Sequence, residues 1–168
     1  MLDPFPIPTP PQVAALCRPV AKYLGLETLP SHIHEVAIAF LLYHVTCVYI
    51  SPYISSRICP RSYNALEKRT KFSWDVHVVS LLQSTIIDAL ALWTIWNDTE
   101  RSAMDFRERV WGYTGAIGLV QAFAEGYFIW DLWITAVHVD VMGWGMLAHA
   151  TSALWVFSFG YVRHAHDS

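Results

Sequence analysis

The 168-residue chain is short of charge, and this excludes several classes of protein. Charged residues make up 15% of it and hydrophobic residues 54%, whereas an ordinary soluble domain is about 25% charged and about 45 to 50% apolar. A disordered chain combines low hydrophobicity with high charge, so the composition excludes one. The formal net charge of −3 argues against a nucleic-acid partner, which selects basic proteins. The composition favours a membrane protein.

Cysteine and proline are also scarce over most of the chain. Three unevenly spaced cysteines do not indicate a disulfide framework. All nine prolines lie at or before Pro60, so the later segments can form uninterrupted helices. No nucleotide-binding, nucleophile-elbow or zinc-protease motif is present. We therefore expect no cofactor.

Long apolar stretches are abundant instead and determine the predicted fold. Four of them cover residues 33–50, 76–96, 113–137 and 141–162, and all eleven Lys and Arg lie outside them. A bilayer core of about 30 Å needs about 20 helical residues and offers the backbone no hydrogen-bond partner. We predict an all-α, multi-pass transmembrane helical bundle of about four spans. The alternative, a soluble bundle, would have to bury four apolar helices in a small domain.

The positions of the prolines and of the apolar spans predict three regions. Residues 1–32 form a Pro-rich N-terminal tail, flexible or polyproline-like at its start. Residues 33–63 hold the first span and a basic loop, and residues 64–168 hold the remaining spans. The N-terminus lacks the basic start and apolar core of a signal peptide, so we expect the first span to act as an uncleaved anchor.

Polar side chains inside the spans are candidates for function, because ionisable groups at membrane depth are costly and usually face the bundle interior. The only charged residues in the four spans are acidic: Glu35, Asp88, Glu125 and Asp131. In the second span a polar stripe shares one helical face and is expected to point at other helices. Its members are His77, Ser80, Ser84 and Asp88. The alternative role for such hydroxyls is helix packing.

The third and fourth spans carry a packing signal and a lone histidine. Gly118, Ala122 and Gly126 have the small-xxx-small spacing that lets two helix backbones approach closely, which would also suit a homo-oligomer. Glu125 flanks this seam. His149 is the only ionisable side chain of the fourth span, and either a hydrogen-bonded structural role or a functional one fits it.

Metal binding is not expected. The histidine pairs His32 with His34 and His164 with His166 fall in predicted loops, without a cysteine or carboxylate at a recognisable interval. Weak chelation is the most that these pairs suggest.

Three sequence segments resemble the TLC domain, a membrane family that includes ceramide synthases and TRAM proteins. The run NALEKRTKFSWDVHVVSLLQST resembles its opening, GYFIWDLW its Gly-Tyr plus Asp motif, and LAHATSALWVFSFG its paired-histidine helix. The matching residues are Lys68, Arg69, Lys71, Trp74, Ser80, Gly126, Tyr127, Asp131 and His149. Gln83 and Ala150 stand where the family has histidines. The resemblance implies a partial TLC domain over residues 64–168, in a short or truncated and divergent member.

The resemblance implies a role in sphingolipid or phospholipid homeostasis at the endoplasmic reticulum, by binding or regulating membrane lipids. Asp131 and His149 are then the polar anchors of an intramembrane cavity. The further cavity residues are Ser80, Gln83, Asp88 and Glu125.

Two other functions remain open. An acyl-CoA-dependent N-acyltransferase of the ceramide-synthase type would use acyl-CoA as substrate, with His149 as general base and Asp131 as a second catalytic residue. A small proton-translocating or ion-translocating protein would use Asp88, Glu125, Asp131 and His149 as a relay.

Overall fold

The computed structural model describes residues 3–162, and the regular secondary structure of this part of the chain is all helical, with no strand. The predicted all-α fold is confirmed. Its helices are α1 Pro11–Leu24, α2 Leu29–Val45, α3 Ser51–Ile58, α4 Pro60–Ala65, α5 Lys68–Asn97, α6 Thr99–Ala103, α7 Phe106–Trp111, α8 Gly115–Val137, α9 Val139–Met142 and α10 Trp144–Ser158.

Helices α2 and α3 form one continuous rod, joined by the π-helical turn Thr46–Ile50. The cause is Pro52, which has no N–H and whose ring would collide with a carbonyl one turn earlier in a regular α-helix. Just before Pro52 the helix takes a wider, π-helical turn, in which the Ser51 N–H donates to the Thr46 carbonyl five residues back. The extra residue keeps the rod continuous through a proline.

Helix α8 lies at the centre of the bundle and packs against α2, α5 and α10. It begins at Thr114, whose hydroxyl accepts the Ile117 N–H as an N-cap. The main core forms where α2, α5 and α8 meet. It consists of Ala39, Tyr43, Cys47, Val76, Val79, Trp130 and Ile134.

Two helices are long and apolar enough to cross a membrane by length and composition: Leu29–Ile58 and Lys68–Asn97. They contain the predicted spans 33–50 and 76–96. The predicted span 113–137 corresponds to α8, of 23 residues.

The predicted span 141–162 is not one helix. At Gly143 the backbone takes φ +85°, which ends α9 and starts α10. Glycine adopts this conformation at little cost, so the break falls where the sequence permits it. The helical part of this segment is α10, of 15 residues, followed by the 3-10 turn Phe159–Tyr161.

The predicted N-terminal tail contains a helix beyond its proline-rich start. Most of the segment predicted as a Pro-rich tail is helical, with Pro11 and Pro30 in first helical turns, where the missing N–H is not needed. Gly25 ends α1 in the left-handed conformation, and the Leu26 N–H bonds the Ala21 carbonyl at 2.8 Å. Helix α1 packs on α2 through the buried Ala21.

Candidate functional site

The small residues of α8 bring this helix into close contact with α2. A Cβ on Gly126 would lie 2.7 Å from the Ala39 Cβ, and one on Gly118 would collide with the His32 ring. Ala122 between them is fully buried. Because α2 already occupies this seam within one chain, the seam is not free for a second copy.

Two of the segments that resemble family motifs meet across α5 and α8. The hydroxyls of Ser80 and Tyr127 form a hydrogen bond of 2.9 Å. The Tyr127 ring in turn packs edge-on against Tyr43 of α2, with 5.5 Å between the ring centroids. Tyr127 of α8 therefore connects to α5 through a hydrogen bond and to α2 through a ring contact.

A third segment with a family motif joins through Asp131 on α8 and His149 on α10. Asp131 is buried and His149 is exposed, and the two side chains lie within electrostatic reach of each other. These two predicted residues are brought together by the packing of α8 on α10.

Glu125 lies one and a half turns before Asp131 and is also buried. Its Oε1 accepts a hydrogen bond from the Ser158 hydroxyl at 2.6 Å, and among the described residues its Oε2 has no hydrogen-bond partner. The buried Tyr161 phenol lies within electrostatic reach of both Glu125 and Glu35. Two acidic side chains from different helices thus approach one tyrosine in the interior.

Most of the polar stripe on α5 does not face other helices, contrary to prediction. His77, Ser84 and Asp88 are exposed, and the His77 ring and the Ser84 hydroxyl bond carbonyls of their own helix. The reason is that α5 packs on the core through Val76 and Val79 instead. Of the stripe only Ser80 contacts another helix through its side chain.

The predicted cavity residues lie on different helices and faces of the bundle. Gln83 is half-buried on α5 and Asp88 lies on an exposed face of that helix, whereas Glu125 contacts α10. A relay of Asp88, Glu125, Asp131 and His149 is likewise divided between α5 and the α8–α10 pair.

An apolar groove of about 740 Å³ runs along α10. It extends from Trp144 to Ser158, a length of about 21 Å at the helical rise. Its other lining residues are Leu24, Leu132, Leu147, Ala148, Thr151, Ser152, Leu154 and Trp155. At one end of the groove the lining residue Ser158 donates a hydrogen bond to Glu125.

Sequence reasoning missed a buried carboxylate at the start of α5. Asp75 accepts hydrogen bonds from the Ser51 hydroxyl at 2.6 Å and from the Tyr63 phenol at 2.9 Å, which ties α3 and α4 to α5. Burial and the hydrogen bond to Asp75 raise the pKa of Tyr63 to about 12. Asp75 stands directly before the predicted span, where a carboxylate resembles an ordinary flanking charge.

A second missed cluster surrounds Glu35. His32 and His34 were predicted in a loop, but the structure places them in the first turns of α2 with Glu35, and all three are buried. The available sequence signal was the spacing: Glu35 follows His32 by three residues and His34 by one. The other predicted pair, His164 and His166, lies outside the described residues.

Comparisons with known proteins agree with the resemblance seen in the motifs. The family model described as the TLC domain matches residues 73–168. An uncharacterized TLC domain-containing protein of Schizosaccharomyces pombe is 34% identical over 144 residues, covering 86% of this chain and 47% of that protein. Human TLC domain-containing protein 4 is 26% identical, covering 66% of this chain and 40% of that protein.

A further relative is the topoisomerase I damage affected protein 4 of Saccharomyces cerevisiae, 22% identical over 75% of this chain and 43% of its own length. The chain spans about half the length of the curated relatives that it matches. No solved structure matches it. The family match covers more than half of the chain, so this protein, a helical membrane protein, belongs to the TLC-domain family.

Proposed function

We propose that the protein contributes to membrane-lipid homeostasis, of sphingolipids or phospholipids, by binding or regulating lipid in the endoplasmic reticulum membrane. The observation that carries the proposal is the groove along α10. Its apolar walls suit a long acyl chain, which gains little from water and much from apolar contact. The groove is part of a chain with two helices able to cross a bilayer, so acyl chains are the abundant apolar molecules around it.

The polar end of the groove supports a lipid with a hydrogen-bonding headgroup. The Ser158 hydroxyl lines the groove and is hydrogen-bonded to Glu125. Glu125 Oε2 is buried and has no hydrogen-bond partner within residues 3–162, and a buried acceptor of this kind is costly unless a donor reaches it. A lipid amine or hydroxyl at this end would supply that donor.

The test is lipid retention by protein purified in mild detergent, followed by native mass spectrometry. Ala148 lines the groove and is exposed, so Ala148→Trp should fill the groove without disturbing the core. Ala89→Trp, on an exposed face of α5, is the matched control. We expect the wild type and Ala89→Trp to retain lipid and Ala148→Trp to lose most of it.

Cells supply the second measurement. Deleting the gene should change the sphingolipid or phospholipid profile, and the wild-type chain but not Ala148→Trp should restore it. The proposal would be abandoned if the wild type retained no lipid and deletion left the lipid profile unchanged. Tagged protein that failed to colocalise with an endoplasmic reticulum marker would overturn the assigned membrane.

The electrostatic proximity of Asp131 and His149 supports a second function, acyl-CoA-dependent N-acylation. His149 is exposed and could act as the general base. It would take a proton from the long-chain amine while the amine nitrogen attacks the thioester carbon of acyl-CoA. The C–N bond forms, the C–S bond breaks, and the proton passes to the departing CoA thiolate. Asp131 would orient the imidazole and stabilise its charged form.

This function predicts N-acyltransferase activity in membranes that contain the protein, given acyl-CoA and a long-chain base. His149→Ala should abolish turnover, and Asp131→Asn should lower kcat more than it changes KM. His77→Ala, which removes an exposed histidine of α5, is the control and should leave the rate unchanged. Turnover that survived His149→Ala would refute the enzyme assignment.

A further inference from the structure

The buried cluster around Glu35 has no part in either proposed function. Glu35 is fully buried and His32 is 1% exposed, both on the first turns of α2. His32 Nδ1 lies 2.8 Å from Glu35 Oε2, and His34 Nε2 lies 3.7 Å from Glu35 Oε1. In the described part of the chain, no Lys or Arg is paired with Glu35. Its charge is therefore balanced by histidines alone or by a further cation.

One oxygen of Glu35 indicates which of these applies. Glu35 Oε1 is buried and accepts no hydrogen bond among the described residues, because the nearby His34 Nε2 bonds the Ile7 carbonyl instead, at 2.7 Å. His34 Nδ1 is likewise occupied, by the Thr9 hydroxyl at 2.9 Å. A carboxylate oxygen shielded from water and left without a donor is costly to bury. A bound cation would remove that cost.

The N-terminal segment brings a third ligand to the same place. The bonds from His34 to Ile7 and Thr9 hold this segment along α2. One ligand atom from each of Asp3, His32 and Glu35 then lies within 4.8 Å of the other two. Asp3 is exposed and adds a second carboxylate beside the buried one, so the cluster attracts positive charge.

The donor set matches a transition-metal site. One imidazole nitrogen and two carboxylate oxygens are ligands that Zn²⁺ accepts at about 2.0 to 2.2 Å, with a further position left for water. Tetrahedral ligands at these lengths lie about 3.5 Å apart, so the exposed Asp3 side chain has to move closer to the other two ligands to complete the site. His32 Nε2 contacts the Tyr113 hydroxyl, which is how metal-bound histidines are usually held through their second nitrogen.

We propose that Asp3, His32 and Glu35 bind a divalent transition metal of the Zn²⁺ type, which clamps the N-terminal segment onto α2. His32 binds through Nδ1, Glu35 through a carboxylate oxygen, and Asp3 closes the site from the N-terminal segment. The three proposed ligands are not among the residues that line the groove, and the occupancy of the metal site does not depend on lipid.

The experiment measures Zn²⁺ binding to the full chain in detergent, without any fusion tag that contains histidine. Stoichiometry comes from metal analysis after dialysis, and Co²⁺ serves as a spectroscopic probe of coordination. We expect about one equivalent of Zn²⁺, and Co²⁺ absorption bands typical of low coordination number that Zn²⁺ abolishes. EDTA should remove the metal, lower Tm and expose the N-terminal segment to protease.

Variants separate binding from folding. Asp3→Asn changes an exposed side chain and should weaken Zn²⁺ binding at least tenfold, while the apo protein keeps its Tm. Glu35→Gln should abolish binding, although its burial means that it can also destabilise the chain. Asp140→Asn is the matched control, because its carboxylate is 66% exposed and pairs only loosely with Arg69 at 3.7 Å.

Each outcome decides the proposal. It stands if the wild type and Asp140→Asn bind one metal tightly and Asp3→Asn does not. It is overturned if the wild type binds substantially less than one equivalent, or if Asp3→Asn and Asp140→Asn bind equally well. Lipid retention by the groove is measured on the same samples, so loss of metal and loss of lipid are distinguishable.

Discussion

Helices α5 and α8 have similar apolar sequences and very different surroundings. In α8, 12 of 23 residues are buried, including Glu125 and Asp131. In α5, only 4 of 30 are buried, and its largest exposed side chains include Leu81 and Trp96. Both helices carry polar residues among apolar ones, yet those of α8 are enclosed while most of those of α5 are not.

The difference follows from residue size. Helix α8 contains Gly118, Ala122 and Gly126 at intervals of four, which lets the backbone of α2 approach closely and seals the polar groups between helices. Helix α5 contains no glycine, and its bulky side chains keep neighbours at a distance. For polar residues in apolar helices, the small residues beside them therefore decide whether they are buried.

The largest expected effect comes from filling the α8 seam. Gly126→Leu places side-chain atoms where a Cβ alone would lie 2.7 Å from the Ala39 Cβ and from the Val36 carbonyl oxygen. Because the obstruction includes backbone, we expect a loss of about 3 kcal/mol or more in unfolding free energy. Ala89→Leu on the exposed face of α5 should change it by less than about 0.5 kcal/mol. Denaturant unfolding in detergent micelles measures both, and equal effects would contradict the comparison.

The next effect compares two aspartates of α5 itself. Asp75→Ala leaves the Ser51 and Tyr63 hydroxyls without their buried acceptor and should cost about 2 to 3 kcal/mol. Asp88→Ala removes an exposed carboxylate and should cost less than about 0.5 kcal/mol. The same unfolding assay applies. If Asp88→Ala proved the more costly, the exposed face of α5 would be a packed one.

The all-α fold, the first two spans and the family were predictable because they depend on composition, helix length and local motifs. The proline pattern was less informative. His32 was predicted in a loop, yet α2 begins at Leu29, with Pro30 in its first turn, where proline is well tolerated. The break at Gly143 was missed because the hydropathy of an apolar run does not show which single residue will adopt a positive φ and end a helix.

Sequence patterns indicated individual candidate residues but not which of them lie near one another. Asp131 and His149 were both identified, whereas their proximity depends on α10 packing against α8, which no local pattern encodes. The partner of Glu125 is Ser158, 33 residues away, and sequence gives no reason to choose it over other hydroxyls. Asp75 was missed because charge next to a span is ordinary and its two donors come from other helices.

A smaller effect distinguishes two serines four residues apart on α5. Ser80 bonds Tyr127 across the helix interface, whereas the Ser84 hydroxyl bonds the Ser80 carbonyl of its own helix. Ser80→Ala should cost about 1 kcal/mol and Ser84→Ala close to nothing. A double-mutant cycle of Ser80→Ala with Tyr127→Phe should show coupling, and additive effects would mean that the two hydroxyls do not interact.

The smallest expected effect is a pH dependence at the base of α5. Burial and the bond to Asp75 raise the pKa of Tyr63 to about 12, against about 10 for an unfolded tyrosine. The unfolded chain therefore loses this proton first, so the contribution of Tyr63 to stability is complete below pH of about 10 and disappears as the pH rises towards 12. Tyr63→Phe should flatten the decline in Tm over that interval, whereas Tyr53→Phe, which removes an exposed phenol of α3, should keep the wild-type slope. If the curves of Tm against pH ran parallel for the wild type and Tyr63→Phe, the hydrogen bonds to Asp75 would be broken before Tyr63 ionises.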